Sequence, residues 1–120
     1  MKAIVVVAFM LALVGCSEPK KPLTKEQQWQ GYCKSFGYAA RAIMHDRQNG
    51  IEREKAIEHA NQIEDETIKS MILGQIELAY QQEKVAGKAN QQELITPFMQ
   101  AAEKKCLNTP YTEIPDFKPL

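Results

Sequence analysis

The spacing of apolar side chains between residues 24 and 107 most constrains what this chain can fold into. Apolar residues recur there at intervals of three and four, and no stretch alternates apolar and polar residues as a half-buried strand does. The first stripe contains Trp29, Tyr32, Cys33, Phe36, Ala40, Ile43 and Met44. Such intervals place side chains on one face of an α-helix. The spacing therefore predicts an all-α domain, a compact four-helix arrangement, over residues 24–107.

Signals at both ends delimit the first predicted helix. Thr24, with Gln27 three residues later, has the pattern of a capping box, in which each side chain satisfies a free backbone N–H of the other residue. Asn49-Gly50 supplies residues that readily adopt the left-handed conformation found after helix ends. The first helix is therefore predicted to begin after Thr24 and to end near Gln48.

The later apolar stripes predict three further helices. The phase of the stripe breaks after Ile63 and predicts a joint at 64–66, whereas residues 83–89 lose periodicity and predict a loop. Pro97 lies in the last stripe and removes one backbone N–H. The last helix is therefore either kinked at Pro97 or begins at Thr96, with proline at the first helical position.

Two details within these helices carry predictions of their own. Gly74 lies in the middle of the third helix, where glycine costs up to ~1 kcal/mol relative to alanine, and so predicts a close helix crossing. Asn90, with Glu93 three residues later, has the pattern of a second capping box. The last helix would then begin after Asn90 if it is kinked at Pro97, and at Thr96 otherwise.

An apolar run of twelve residues, Ala3–Val14, follows Lys2 at the start of the chain. It is shorter than the ~20 residues that cross a ~30 Å hydrocarbon core, so it fits the hydrophobic region of a cleaved signal. The sequence Leu13-Val14-Gly15-Cys16 resembles the lipobox of bacterial lipoproteins, whose signal is removed before a cysteine that is then lipidated. The resemblance implies a signal peptide at 1–15 and an attached lipid, such as palmitate, on Cys16.

The residues after this cysteine indicate where the protein would lie. Residues 16–23 contain two prolines and two lysines without periodicity, and they predict a tether. Ser17 stands where an enteric inner-membrane retention signal has aspartate, so the lipoprotein resemblance implies the outer membrane, facing the periplasm. The lipid would make the membrane one partner of this chain.

Cys33 and Cys106 remain as a pair once Cys16 is assigned to the lipid. In the oxidising compartment that export implies, an even pair of cysteines predicts a disulfide. The bridge would close a loop of about 73 residues, for which chain entropy gives a stabilisation of roughly 4 kcal/mol. No Cys-x-x-Cys motif is present, so a structural role is expected rather than a redox role.

Charge and motif content argue against nucleic-acid binding and catalysis. Cleavage before Cys16 removes one of 15 basic side chains and none of the 15 acidic ones, and the two signs are interleaved along the chain. His45 and His59 have no second His or Cys at helical spacing, and no phosphate-binding or nucleophile motif occurs. We therefore expect a protein that is not an enzyme, with no cofactor or metal and no nucleic-acid partner.

The C-terminal segment 108–120 contains three prolines and is predicted to be an extended tail. Tyr111, Ile114 and Phe117 recur every three residues, which in a polyproline II conformation places them on one edge. Such an edge either docks in a groove of a partner or folds back over its own helices. A small domain gains from each added apolar contact, and this favours the covering role.

A second resemblance concerns part of the helical domain. Tyr32-Cys33, Ala39-Ala40, Ile43-Met44 and Arg47-Gln48-x-Gly50 resemble a pattern of small exported α-helical proteins of bacteria and phages. The resemblance implies a secreted, disulfide-bearing helical domain without a known reaction. We expect a non-enzymatic envelope lipoprotein that serves as a binding or accessory module for an envelope protein. The alternative is an inhibitor, immunity or exclusion factor of bacterial or phage origin that acts at the envelope.

The lipobox makes a direct prediction about Cys16. The substitution Cys16→Ser should leave the precursor uncut and unlabelled by fatty acid, because the modified side chain is missing. Incorporation of labelled palmitate and the gel mobility of the precursor measure this. Ser17→Ala, which keeps the cysteine, is the matched control and should be acylated normally. Normal acylation of Cys16→Ser would exclude the lipobox.

Overall fold

The computed structural model describes Gly15 and residues 21–114. Within them the chain forms four α-helices and one turn of 3-10 helix: α1 Lys25–Gln48, α2 Arg53–Ala60, α3 Glu66–Tyr80, α4 Lys88–Leu107 and the 3-10 turn Tyr111–Glu113. No strand occurs in these residues, so the predicted all-α class is confirmed. The predicted signal peptide apart from Gly15, the lipid site Cys16, and Phe117 lie outside the described residues.

The ends of α1 follow the sequence signals. The backbone N–H of Gln27 donates to the Thr24 hydroxyl at 3.1 Å, and the Thr24 N–H donates to the Gln27 amide oxygen at 2.9 Å, which confirms the capping box. After Gln48 the chain turns through Gly50, whose φ of 80° lies in the left-handed region. Residues close by in the sequence therefore determine where α1 begins and where it ends.

The predicted joint at 64–66 is also confirmed, but the start of α4 is not where the sequence placed it. Asp65 caps α3 by accepting the Ile68 N–H at 3.0 Å. α4 begins at Lys88, and the Asn90 side chain donates to the Ala86 carbonyl instead of capping the helix, so the second capping box is wrong. Pro97 lies exposed inside α4, which excludes a helix that begins at Thr96.

Helix α1 is the centre of the packing. It packs most extensively against α4, less against α3, and α2 packs against α3, whereas α3 and α4 make hardly any direct contact. α1 and α4 run in opposite directions, because Cys33 meets Cys106 near one end while Met44 and Ile95 share a cluster near the other. The four helices therefore leave a gap between α3 and α4.

The predicted disulfide between Cys33 and Cys106 is present and joins α1 to α4. Cys33 is fully buried and Cys106 is 3% exposed, and Trp29 completes their hydrophobic cluster. A second cluster, of Met44, Ala79 and Ile95, joins α1, α3 and α4 further along. The core thus consists of two small clusters, and one of them contains a covalent bond.

A close crossing of two helices occurs at Gly37 and not at Gly74, so the prediction for Gly74 is wrong. A Cβ atom at Gly37 would lie 3.2 Å from the Glu103 Cβ and 3.4 Å from the Met99 carbonyl oxygen on α4. A Cβ atom at Gly74 would meet nothing within 4 Å. Glycine allows the close crossing of α1 and α4, whereas at Gly74 it leaves open space.

The loop between α3 and α4 is fastened to the C-terminal end of α1. The Gln48 side chain is buried, donates to the Glu83 carbonyl at 2.9 Å and accepts the Val85 N–H at 2.9 Å. The Arg47 guanidinium donates twice to the Gln82 carbonyl, at 3.1 Å. A loop without secondary structure is thereby fixed by side chains of a helix, which holds the end of α3 in place.

Replacing Gly74 and Gly37 by alanine should change stability in opposite directions. Gly74→Ala should raise the Tm by about 4 to 8 °C, because alanine is favoured by ~1 kcal/mol in a helix and the site is open. Gly37→Ala should lower the Tm, because the new methyl group forces α1 away from α4. Thermal unfolding followed by circular dichroism measures both. Equal gains at the two positions would contradict the close crossing at Gly37.

Reduction of the disulfide should cause a large loss of stability. The loop has a sequence separation of 73 residues, so breaking the bond should lower the free energy of unfolding by roughly 4 kcal/mol. Urea unfolding of the oxidised and reduced protein measures this, with the double variant Cys33→Ala/Cys106→Ala as the control that should not respond to reductant. Two thiols open to alkylation in the exported native protein would contradict the bridge.

Candidate functional site

A groove with a volume of about 510 Å³ lies between α3 and the C-terminal end of α4. The residues 67–78 of α3 form one wall, Lys105 and Cys106 belong to the other, and Phe36 of α1 lies between them. Glu113 and Ile114 line it from the C-terminal side. We call this site the α3–α4 groove. It exists because α1 packs against both helices while the two barely touch each other.

Gly74 keeps the α3 wall of this groove open. It is exposed, lies in the middle of a helix, and has no atom within 4 Å of the position that a Cβ would take. Leu78, one turn further on, is 42% exposed in the same groove. A helix-interior glycine that serves neither a turn nor a close crossing lowers stability. Packing within the described residues therefore gives no reason for glycine at this position.

Gln75 is the polar group of the α3–α4 groove that the helices have buried. Its residue is only 6% exposed, its side chain lines the groove, and no hydrogen bond to its amide occurs within residues 21–114. Its amide atoms are not fully buried, so they reach solvent through the groove. It offers both a donor and an acceptor, as a peptide group does. Gln75 is thus equipped to bind a backbone amide of a ligand.

Sequence reasoning did not identify Gln75, although the sequence contains a signal for it. The residue follows Met71 by four and Ile72 by three, so it falls on the apolar stripe of α3. A polar side chain in an apolar stripe is either satisfied inside the protein or available to a ligand. The tertiary structure is needed to distinguish these two cases.

The structure brings Tyr111 and Ile114 together on the disulfide cluster. Both are half-buried against the cluster of Trp29, Cys33 and Cys106, and the ring centroids of Tyr111 and Trp29 are 6.5 Å apart. Residues 111–113 form a 3-10 turn and not the expected polyproline II conformation. Both conformations repeat every three residues, so either one aligns residues 111 and 114. These two side chains cover their own domain.

Tyr32 joins the disulfide cluster to α3. Its ring stacks on that of Trp29 with centroids 5.2 Å apart, and its hydroxyl donates to the Met71 sulfur at 3.6 Å. Burial, followed by the nearby Asp65 carboxylate, raises the pKa of Tyr32 above its usual value. The phenol therefore stays protonated at neutral pH and acts as a packing and hydrogen-bonding group.

A second cleft, of about 470 Å³, lies between α1, α2 and α3. Its walls are aliphatic, with Ile43, Ile63 and Ile76 as examples. The charged or titratable side chains that line it, among them Lys55 and His59, are exposed and solvated. No buried polar side chain lines it, so it lacks the anchoring group that distinguishes the α3–α4 groove.

The described part of the chain holds no group of three side chains that could bind a metal ion. None of the helices within residues 21–114 is long and apolar enough to cross a membrane. Comparison with known proteins finds no matching family model, no matching curated protein and no matching solved structure. The α3–α4 groove is the feature on which a functional proposal can be built.

Proposed function

We propose that this protein is a non-enzymatic lipoprotein of the cell envelope, anchored through Cys16, that binds a peptide segment of another envelope protein in the α3–α4 groove. The observation that carries the binding proposal is the Gln75 amide, which faces this apolar groove from a residue that is only 6% exposed and has no hydrogen-bond partner in residues 21–114. The anchor is supported by the lipobox resemblance of Leu13-Val14-Gly15-Cys16. Ile114, which lines the groove, would then contribute to the site, while Tyr111 packs beside it on the disulfide cluster.

The lining of the groove specifies the chemistry of the ligand. Phe36, Met71 and Leu78 offer apolar surface for side chains, and Gln75 offers a donor and an acceptor for a backbone amide. A volume of about 510 Å³ falls within the range of ~300 to 1,000 Å³ that is typical of ligand pockets. A short peptide segment with neighbouring apolar side chains meets both requirements.

The proposed anchor limits where this partner can be. The tether of eight residues, 16–23, spans at most about 28 Å when fully extended. The groove would therefore operate close to the lipid surface to which Cys16 is attached. A membrane protein or another lipoprotein of the same leaflet fits this geometry, and the proposed location is the outer membrane, facing the periplasm.

A pair of glycine variants tests the groove. Gly74→Leu should reduce capture of the partner by at least tenfold, because the new side chain enters the groove. Gly31→Leu is the matched control, since Gly31 is also exposed inside a helix with nothing within 4 Å of its Cβ position, and it should capture normally. Leucine is favoured over glycine in helices, so neither variant should unfold. Affinity capture from envelope membranes, quantified by mass spectrometry against the control, measures the difference.

The variant Gln75→Met separates binding from stability. Methionine has a similar size and a similar helix propensity but lacks the amide, so it should leave the Tm nearly unchanged. Capture should nevertheless fall, because the ligand loses its hydrogen bonds to the groove. Equal capture by Gly74→Leu, Gln75→Met and Gly31→Leu would contradict the proposed site.

A further inference from the structure

We infer that the second cleft, between α1, α2 and α3, binds a free lysophospholipid with a zwitterionic head group, such as lysophosphatidylethanolamine. Its single alkyl chain lies between the helices, and its head group lies at the exposed side chains of Asp46, Lys55 and His59. The second cleft and the α3–α4 groove have no lining residue in common, so this site does not depend on the peptide binding proposed above. The walls, the length and the rim charges of the cleft all match this ligand.

The walls of the second cleft select an alkyl chain. Five isoleucines and four alanines line it, and the other three lining residues, Asp46, Lys55 and His59, are exposed. Ile51 remains 42% exposed at this cleft. A bound peptide would bury N–H and C=O groups that aliphatic walls cannot pair, which costs free energy. An alkyl chain has no such groups, so these walls favour a lipid chain over a peptide.

The cleft stays open because α2 is fastened to α3 and not to α1. α2 packs against α3, whereas it makes hardly any contact with α1. Arg53 at the start of α2 forms an ion pair with Glu77 of α3. Just before α2, the Ile51 carbonyl accepts a hydrogen bond from the Tyr80 hydroxyl at 2.7 Å. These contacts hold α2 in place without filling the space beside α1.

The apolar space is long enough for an acyl chain. A smaller cavity of about 210 Å³ adjoins the second cleft between α1 and α3, and Ala39 and Ile72 line both. Along α1 the two extend from Asp46 to Tyr32, which is about 21 Å at 1.5 Å per residue. One leaflet of a bilayer contributes about 15 Å of the ~30 Å hydrocarbon core, so a chain of ordinary length fits.

The two cavities together have the polarity of an amphiphile. The charged or titratable side chains at one end line the larger cavity only. No charged side chain lines the smaller cavity, where Phe36 and Ile68 are among the walls. A ligand therefore enters with its apolar end toward Tyr32 and keeps its head group at the solvent-exposed side chains. This asymmetry distinguishes a single-chain lipid from a ligand that is apolar throughout.

The rim charges match a head group that carries both signs. Lys55 and His59 lie one turn apart on α2, and Asp46 lies on α1. Within residues 21–114 no ion pair joins Asp46 to Lys55, and the Asp46 carboxylate is 4.0 Å from the His45 ring. The α2 side chains thus suit a phosphate, and the carboxylate suits an ammonium group. A fatty acid would bring a second carboxylate toward Asp46.

The experiment measures lipid binding to residues 16–120 carrying Cys16→Ser, prepared with the disulfide formed, so that no attached lipid competes. Isothermal titration calorimetry compares decanoyl, lauroyl and myristoyl lysophosphatidylethanolamine below their critical micelle concentrations. The affinity should rise about fourfold for each added methylene until the apolar space is filled. Laurate should bind more weakly than the lauroyl lysophospholipid, because it lacks the ammonium group.

Three variants locate the site. Ala42→Leu should weaken binding about tenfold, because the new side chain takes the space of roughly two methylenes of the lipid. Ala101→Leu, at an exposed position in α4 away from the cleft, is the matched control and should bind normally. Lys55→Gln should weaken binding of the lysophospholipid about two- to fivefold, as expected for an exposed ion pair. It should not affect binding of the uncharged glyceryl monolaurate.

Several outcomes would overturn the inference. An affinity that does not increase with chain length, or equal binding by Ala42→Leu and Ala101→Leu, would show that the cleft holds no alkyl chain. Laurate that binds as tightly as the lauroyl lysophospholipid would exclude recognition of a zwitterionic head group. Loss of binding in Gly74→Leu together with normal binding in Ala42→Leu would place the lipid in the α3–α4 groove. Since no partner protein takes part, these failures are distinct from failure of the capture test.

Discussion

The covalent bond between α1 and α4 determines the rest of this structure. The Cα atoms of Cys33 and Cys106 are 5.4 Å apart, within the ~4.4 to 6.8 Å that is usual for a disulfide, so the bridge fixes two facing turns of α1 and α4 against each other. Gly37 lies one turn after Cys33, and Glu103 lies one turn before Cys106, so both fall on the faces that the bridge draws together. The two helices remain close at this level, since a Cβ at position 37 would lie 3.2 Å from the Glu103 Cβ, and the chain has glycine there.

The α3–α4 groove is a consequence of this arrangement. Because α1 packs tightly against α4 on one side, α3 packs against α1 on another side and barely touches α4. Phe36, next to Gly37 in the sequence, is left partly exposed in the resulting gap. Gly74 and Gln75 then give the gap an open wall and a polar group. The close packing of α1 against α4 thus leaves a groove between α4 and α3.

The sequence predicts what depends on neighbours along the chain. The Thr24 cap, the Asp65 joint and the left-handed Gly50 each require only a few adjacent residues, and all three helix ends are where the patterns indicate. The predicted Cys33–Cys106 pairing needs only an even number of remaining cysteines and an oxidising compartment. The sequence does not distinguish Gly37 from Gly74, because both lie inside amphipathic helices and only the tertiary contacts show which one faces another helix. The Gln75 amide is missed for the same reason.

The groove also affects the energetics of the whole domain. One of its walls, α4, is bonded to α1 through Cys106, whereas the other, α3, is held by noncovalent packing and by the loop fastened to Gln48. A ligand that touches both walls supplies contacts between α3 and α4 that the helices themselves barely make. Binding to the folded state alone raises stability by mass action. A segment in the groove would therefore stabilise α3, and α2 packed against it, more than the disulfide-bonded pair of α1 and α4.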